Sequence, residues 1–160
     1  MIEITFREFF EYTYDHDDFY ELYIMKNGLG ETLYVGISSE NIWNRWFGSR
    51  GHITVGASYL VGESSVGRKV VDHLPDAWNW KIQLWTLEDC KKFCADDLNP
   101  NGRYTIKWLE PIMIQKLGPA LNVIYNLNPG QDSAPKSKKE VEREKFLDKM
   151  YAEIFNKKHE

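Results

Sequence analysis

The sequence predicts an α+β fold: a small three-stranded antiparallel sheet flanked by helices, with an extra helix at the C-terminal end. Three observations predict it. Two β-compatible apolar runs, residues 22–26 and Thr32–Ile37, enclose Asn27-Gly28-Leu29-Gly30, whose Asn and glycines supply the positive φ angles of a hairpin turn. Trp80, Ile82 and Leu84 alternate with Lys81, Gln83 and Trp85, the period of two expected of a half-buried strand. Around these runs, apolar residues recur at helical spacing behind capping residues. The 160 residues, 42% hydrophobic, suffice for one core and are short for two.

The N-terminal segment, residues 1–18, opens with Thr5-Phe6-Arg7-Glu8, a capping box in which the Thr hydroxyl and Glu carboxylate each satisfy a free backbone donor. A helix over residues 6–14 follows, with Phe6, Phe9 and Phe10 toward the core, then an acidic loop at 15–18. The main domain spans 19–130. If its hairpin closes symmetrically about Gly28 and Leu29, Tyr23 stands directly opposite Tyr34 with both rings on one face. Ser38-Ser39 offers an N-cap for a helix carrying Ile42, Arg45 and Trp46. Residues 48–62 read as loop, and Ser64-Ser65 caps a short helix with Val66, Val70 and Leu74 aligned, limited by Pro75.

After the third strand, Thr86 and Asp89 repeat the cap-and-acid pattern and open a helix to about residue 95. Cys90 and Cys94 share one face of it as reduced core thiols, since a lone pair without nearby His or Cys makes a poor zinc site. A further helix carries Leu109, Ile112, Met113 and Leu117 and stops at Gly118-Pro119. Two starts fit it: near Thr105, with Pro111 in the interior, or at Pro111, with Glu110 as N-cap. Residues 131–160 form a polar linker and an amphipathic helix whose stripe is Leu147, Met150, Tyr151, Ile154 and Phe155. That stripe either packs back on its own domain or meets a second copy or another protein.

The apolar runs fall far short of the roughly 20 residues a membrane span needs, and no signal-peptide pattern opens the chain. The expectation is a soluble, cytoplasmic protein without membrane association. A net charge of -4 argues against coating nucleic acid by bulk electrostatics. The charge is unevenly placed, however. Residues 1–22 hold seven acids against Arg7, a balance of -6, so the remainder sums to +2 and leaves room for a local basic surface.

The chemistry lies in an ordered series: Leu22-Tyr23-Ile24, Tyr34-Val35-Gly36 eleven residues after the first tyrosine, Arg45 on a helix, Leu109-Glu110, and Leu117-Gly118-Pro119-Ala120-Leu121-Asn122. Over about residues 19–126 this series resembles the GIY-YIG nuclease superfamily. The resemblance implies that superfamily's three-stranded sheet and a metal-dependent endonuclease that hydrolyses phosphodiester bonds in DNA. Glu110 would hold one Mg²⁺ or Mn²⁺, which suits a hard cation that prefers oxygen ligands and keeps several waters. Tyr23 would activate water, Tyr34 would orient water or phosphate, and Asn122 would brace the site. Arg45, a permanent cation with a forked head, would stabilise charge developing on the phosphate.

The series departs from the superfamily in three places. Glu21 replaces the usual glycine of the first motif, Ser49 stands where many members carry His or Tyr, and Ile37 replaces the lysine of the excision-repair branch. His52 is the candidate to supply the missing function from the following loop, and a surface or capping histidine is the plain alternative. Arg50, Arg68, Lys69 and Arg103 are candidate phosphate contacts. Two readings compete with the nuclease: a catalytically silent domain of this fold that binds nucleic acid or protein, and an adaptor whose binding surface is Trp43, Trp46, Trp78 and Trp80.

Overall fold

A computed structural model describes residues 1–11 and 19–158. The predicted hairpin forms from β2 (Tyr20–Lys26) and β3 (Thr32–Ile37). Its register differs from the symmetric one, pairing Tyr23 with Gly36 and Met25 with Tyr34. The turn is longer than two residues. Asn27 N–H donates to Glu31 O at 3.0 Å, and Asn27 Oδ1 accepts from Leu29 N–H and Glu31 N–H, so the Asn side chain holds a loop with Gly30 at φ 82°. A bulge follows at Met25/Lys26. Because the shift is two residues, side-chain parity survives and both tyrosines still project from one face.

The sheet has four strands rather than three, in the order β1 (Ile2–Thr5), β6 (Lys81–Thr86), β2, β3. The added edge strand is β1, antiparallel to β6. Its alternation of Ile2 and Ile4 with Glu3 and Thr5 is a strand signal that the adjacent capping box overshadowed. The box itself forms: Glu8 N–H donates to Thr5 Oγ1 at 3.1 Å and Thr5 Oγ1 to Glu8 Oε1 at 2.9 Å, opening α1 (Phe6–Glu11). The rest of the predicted helix and the acidic loop lie outside the described residues. β6 is not half-buried as its alternation suggested. As a central strand covered on both faces it buries Ile82, Gln83 and Leu84, and Gln83 satisfies its amide on Glu3.

One face of the sheet packs on α1, α2 (Ile42–Phe47) and α3 (Ser65–Asp72) around Phe6, Phe9, Tyr23, Trp46 and Val70. The other packs on α4 (Leu87–Phe93) and α5 (Ile106–Leu117) around Leu22, Ile24, Val35, Cys90 and Met113. Cys90 and Cys94 are free and fully buried, and burial pushes the Cys90 thiol up to about 12. The cap of α2 is Asn41, not Ser38-Ser39: its side chain accepts from Asn44 N–H at 2.7 Å. The stretch 48–62, read as loop, contains a short hairpin of β4 (Ile53–Val55) and β5 (Leu60–Gly62). Three-residue strands with a mostly exposed face leave too little periodicity to read.

Among the two starts open to α5, the structure takes Thr105. Pro111 lies inside the helix and Glu110 is mid-helix. Gly118, at φ 54°, stops it as predicted. The linker is docked rather than free. Asn27 Nδ2 donates to Asp132, Ser133 bonds Glu31, and Lys69 bridges Asp132 at 2.6 Å and Glu140 at 2.9 Å. α6 (Lys138–Lys158) is fastened to α3 through Arg143 and the buried Asp72. It therefore meets its domain through charge, while Leu147, Met150, Tyr151, Ile154 and Phe155 are exposed. Among the described residues, no helix is long and apolar enough to cross a membrane.

Candidate active site

The site forms at the β3 edge, where the two helical layers meet. The segment after α5 covers this edge: Ala120 N–H donates to Thr32 O at 3.1 Å and Leu121 N–H to Leu33 O at 2.8 Å. Asn122 completes the pairing with its side chain, Oδ1 accepting from Val35 N–H at 2.8 Å and Nδ2 donating to Val35 O at 2.9 Å. One amide thus satisfies both backbone groups of an otherwise open strand position. It also fastens the C-terminal end of α5, and so Glu110, to the strand that bears Tyr34.

Tyr23 and Tyr34 stack with ring centroids 6.1 Å apart at 28°. Gly36, directly opposite Tyr23, makes this arrangement fit. A Cβ there would lie 2.4 Å from Tyr23 Cζ and Oη, so any larger residue would displace the phenol. Trp46 backs the tyrosine ring at 5.8 Å. His52 enters from the end of α2, its backbone N–H donating to Arg45 O, and its Nε2 lies 2.6 Å from the Tyr23 hydroxyl. His52 Nδ1 lies 2.6 Å from Ser64 Oγ, and the ring stands edge-on to Tyr34.

Burial raises both phenol pKa values above the ordinary range. For Tyr23, Tyr34 adds to the rise, Arg45 opposes it and Glu110 adds to it; for Tyr34, Arg45 opposes it and Glu110 adds to it. Arg45 and Glu110 therefore both lie within electrostatic reach of the two hydroxyls. Tyr34, Ser65, Glu110, Asn122 and Tyr125 line one open cavity of about 310 Å³. Tyr23 is not on its wall; at 1% exposure it sits behind Tyr34.

Glu110 is half-buried, burial alone raises its pKa, and no cation pairs with it among the described residues. A carboxylate desolvated without a counter-charge, beside a cavity with room for water, fits a hard divalent ion that takes one protein oxygen and keeps its waters. Among the described residues no group of three or more His, Cys, Asp or Glu gathers into a metal cluster. Glu110 would hold such an ion as its lone carboxylate.

The predicted basic contacts divide. Arg68 is exposed in a cleft that shares Ser65 and Leu121 with the cavity. Arg50, at φ 62°, is exposed after α2, and Arg103 is exposed in the connection before α5. Lys69 is neutralised by Asp132 and Glu140, which leaves it no free charge for a phosphate. Glu21 lies within electrostatic reach of Cys90, in the α4 layer. Ser49 is exposed, and the buried His52 stands in the site instead.

Sequence alone points to neither Ser64 nor Trp46 as a member of the site, and to Gly36 only as part of the Tyr34-Val35-Gly36 motif. Ser64 carried a signal only as a helix cap, and its contact with His52 is a tertiary one. Comparison with known protein families, curated proteins and solved structures returned no match.

His52 has a measurable signature. Burial first, and Arg45 second, lower its pKa to about 3, so it is neutral in the fold. The unfolded chain binds a proton near pH 6.5, and stability is therefore intact above that pH and lost as pH falls toward 3. Between pH 7 and pH 5 the loss from His52 alone should be about 2 kcal/mol. Urea unfolding of wild type and His52→Gln at both pH values checks this. Equal acid sensitivity of the two proteins would rule it out.

Proposed function

We propose that this chain is a metal-dependent endonuclease of the GIY-YIG type, hydrolysing phosphodiester bonds in DNA in the cytoplasm. The observation that carries the reading is that Tyr34 and Glu110 line one cavity, with Tyr23 and His52 bonded to each other behind Tyr34 and Arg45 within electrostatic reach of both phenols. Tyr23, Tyr34, Arg45, Glu110 and Asn122 also stand in the order the superfamily would require, and His52 stands in for the His or Tyr that Ser49 replaces. Strands β3, β2 and β6 are taken as that superfamily's sheet, with β1 added at the far edge, and residues 19–130 as its nuclease unit.

In this reading Arg45 binds the scissile phosphate and offsets charge developing on it. A divalent cation held by Glu110 would polarise the phosphate and stabilise the leaving oxygen. Tyr34, on the cavity wall, orients the attacking water through its hydroxyl. Tyr23, behind it and bonded to neutral His52, relays that water's proton: as its oxygen takes up the proton, its own phenolic proton passes to His52 Nε2. Asn122 keeps α5 against β3 and thereby fixes Glu110 relative to Tyr34. Arg68 extends the phosphate track past the cavity.

The test is cleavage of supercoiled, linear, nicked, branched and single-stranded DNA by the whole chain, with Mg²⁺ or Mn²⁺ and with chelator. Metal-dependent cleavage is expected, abolished by chelation. Cleavage that persists with chelator overturns the mechanism, and no cleavage of any substrate favours a silent binding domain.

A further inference from the structure

We propose that Ser64 is a positioning residue, which holds His52 in the tautomer protonated at Nδ1 so that Nε2 receives the Tyr23 hydroxyl. The catalytic consequence rests on the nuclease reading; the tautomer does not.

The contacts are tightly built. Ser64 is the N-cap of α3, its Oγ accepting from Gly67 N–H at 3.1 Å. Glu63 N–H donates to His52 O at 2.8 Å, and a Cβ on Gly67 would lie 1.9 Å from that same oxygen. The first turn of α3 is thus pressed against the His52 backbone, and only glycine at position 67 lets it come so close. His52 and Tyr23 are each 1% exposed, so both ring nitrogens and the phenol oxygen are cut off from bulk water.

Proton accounting then selects one arrangement. A neutral imidazole has one N–H and one bare nitrogen. Among the described residues the Tyr23 hydroxyl has one hydrogen-bond partner, His52 Nε2 at 2.6 Å. If Nε2 carried the hydrogen, the Tyr23 O–H would be left buried without an acceptor, which proteins rarely tolerate. Tyr23 therefore donates to a bare Nε2, and Nδ1–H donates to Ser64 Oγ. Ser64 can accept twice, from Gly67 N–H and from Nδ1–H, and being only partly buried it can turn its own hydrogen to solvent.

The consequence reaches the site. With its hydrogen committed to Nε2, the Tyr23 oxygen offers lone pairs only, to whatever approaches from the Tyr34 side. Ser64 in this way makes Tyr23 an acceptor without touching substrate. A hydrogen bond on one ring nitrogen thus sets the role of the other.

Long-range ¹H–¹⁵N correlation spectra of the whole chain read the tautomer directly. Wild type and Ser64→Thr should show His52 protonated at Nδ1. Glycine is nearly as good an N-cap as serine but brings no hydroxyl, so Ser64→Gly should stay folded, its melting temperature lowered by the orphaned Nδ1–H, while losing the single tautomer. In plasmid cleavage with Mg²⁺, Ser64→Gly should lose about 10-fold or more in kcat with KM unchanged, the usual loss when a residue that orients a site group is removed, and Ser64→Thr should restore it. An Nε2–H tautomer in wild type, or an unaltered tautomer in Ser64→Gly, overturns the proposal. The expected tautomer in a wild type that cleaves no DNA overturns the nuclease reading, and with it the catalytic role of Ser64.

Discussion

Glu110→Gln is expected to slow DNA cleavage by about 10³-fold or more while leaving the protein folded, because a charged metal ligand contributes several kcal/mol to the transition state. Glutamine keeps the size and hydrogen-bonding reach of the side chain and removes the charge that would hold a hard cation. The structure adds a stability corollary. Glu110 is half-buried in the middle of α5, its pKa is raised by burial, and no cation pairs with it among the described residues. Neutralising a desolvated, unpaired charge relieves a cost, so without metal the variant should melt at or above the wild-type temperature. With Mg²⁺ or Mn²⁺ the wild type should gain thermal stability by mass action and the variant should not. Unchanged cleavage by Glu110→Gln would remove Glu110 from the mechanism. A shared metal-induced stabilisation would place the ion elsewhere.

The parts of this fold that were legible in sequence are those decided locally. The capping boxes at Thr5/Glu8 and Thr86/Asp89 and the left-handed stop at Gly118 depend on neighbours three or four residues away, and each forms as read. Tertiary competition decided the rest. Ser38-Ser39 yields the α2 cap to Asn41, whose side chain reaches Asn44 N–H. The hairpin register shifted because Asn27 organises a longer turn than its glycines alone suggest. Parity carried the site through that error: a two-residue slip leaves Tyr23 and Tyr34 on one face, whereas a one-residue slip would have separated them. Contacts distant in sequence left no trace. Nothing near Ser64 announces His52, twelve residues away, and nothing near Lys69 announces the carboxylates of Asp132 and Glu140.

Tyr23→Phe is the sharper test of mechanism, because it deletes one atom from a residue that also packs the core. The ring should stay, held by Tyr34 at 6.1 Å, Trp46 at 5.8 Å and the space above Gly36. What is lost is the hydroxyl, and with it the 2.6 Å bond to His52, leaving a buried ring nitrogen without a partner. Stability should fall by about 1–3 kcal/mol, the usual cost of orphaning a buried polar group. Cleavage should fall by about 10²-fold or more, the range for removing a positioned proton acceptor. The loss should lie in kcat, because Arg45 and Glu110 remain to bind phosphate and metal, and the metal-induced rise in melting temperature should persist. These readouts separate chemistry from packing: a purely structural role would lower stability and leave kcat of the folded fraction near wild type. If Tyr23→Phe folds and cleaves within a few-fold of wild type, water activation does not pass through the buried phenol. The hydroxyl of Tyr34, which already lines the cavity beside Glu110, then becomes the proton acceptor, and Tyr34→Phe should show the loss that Tyr23→Phe did not.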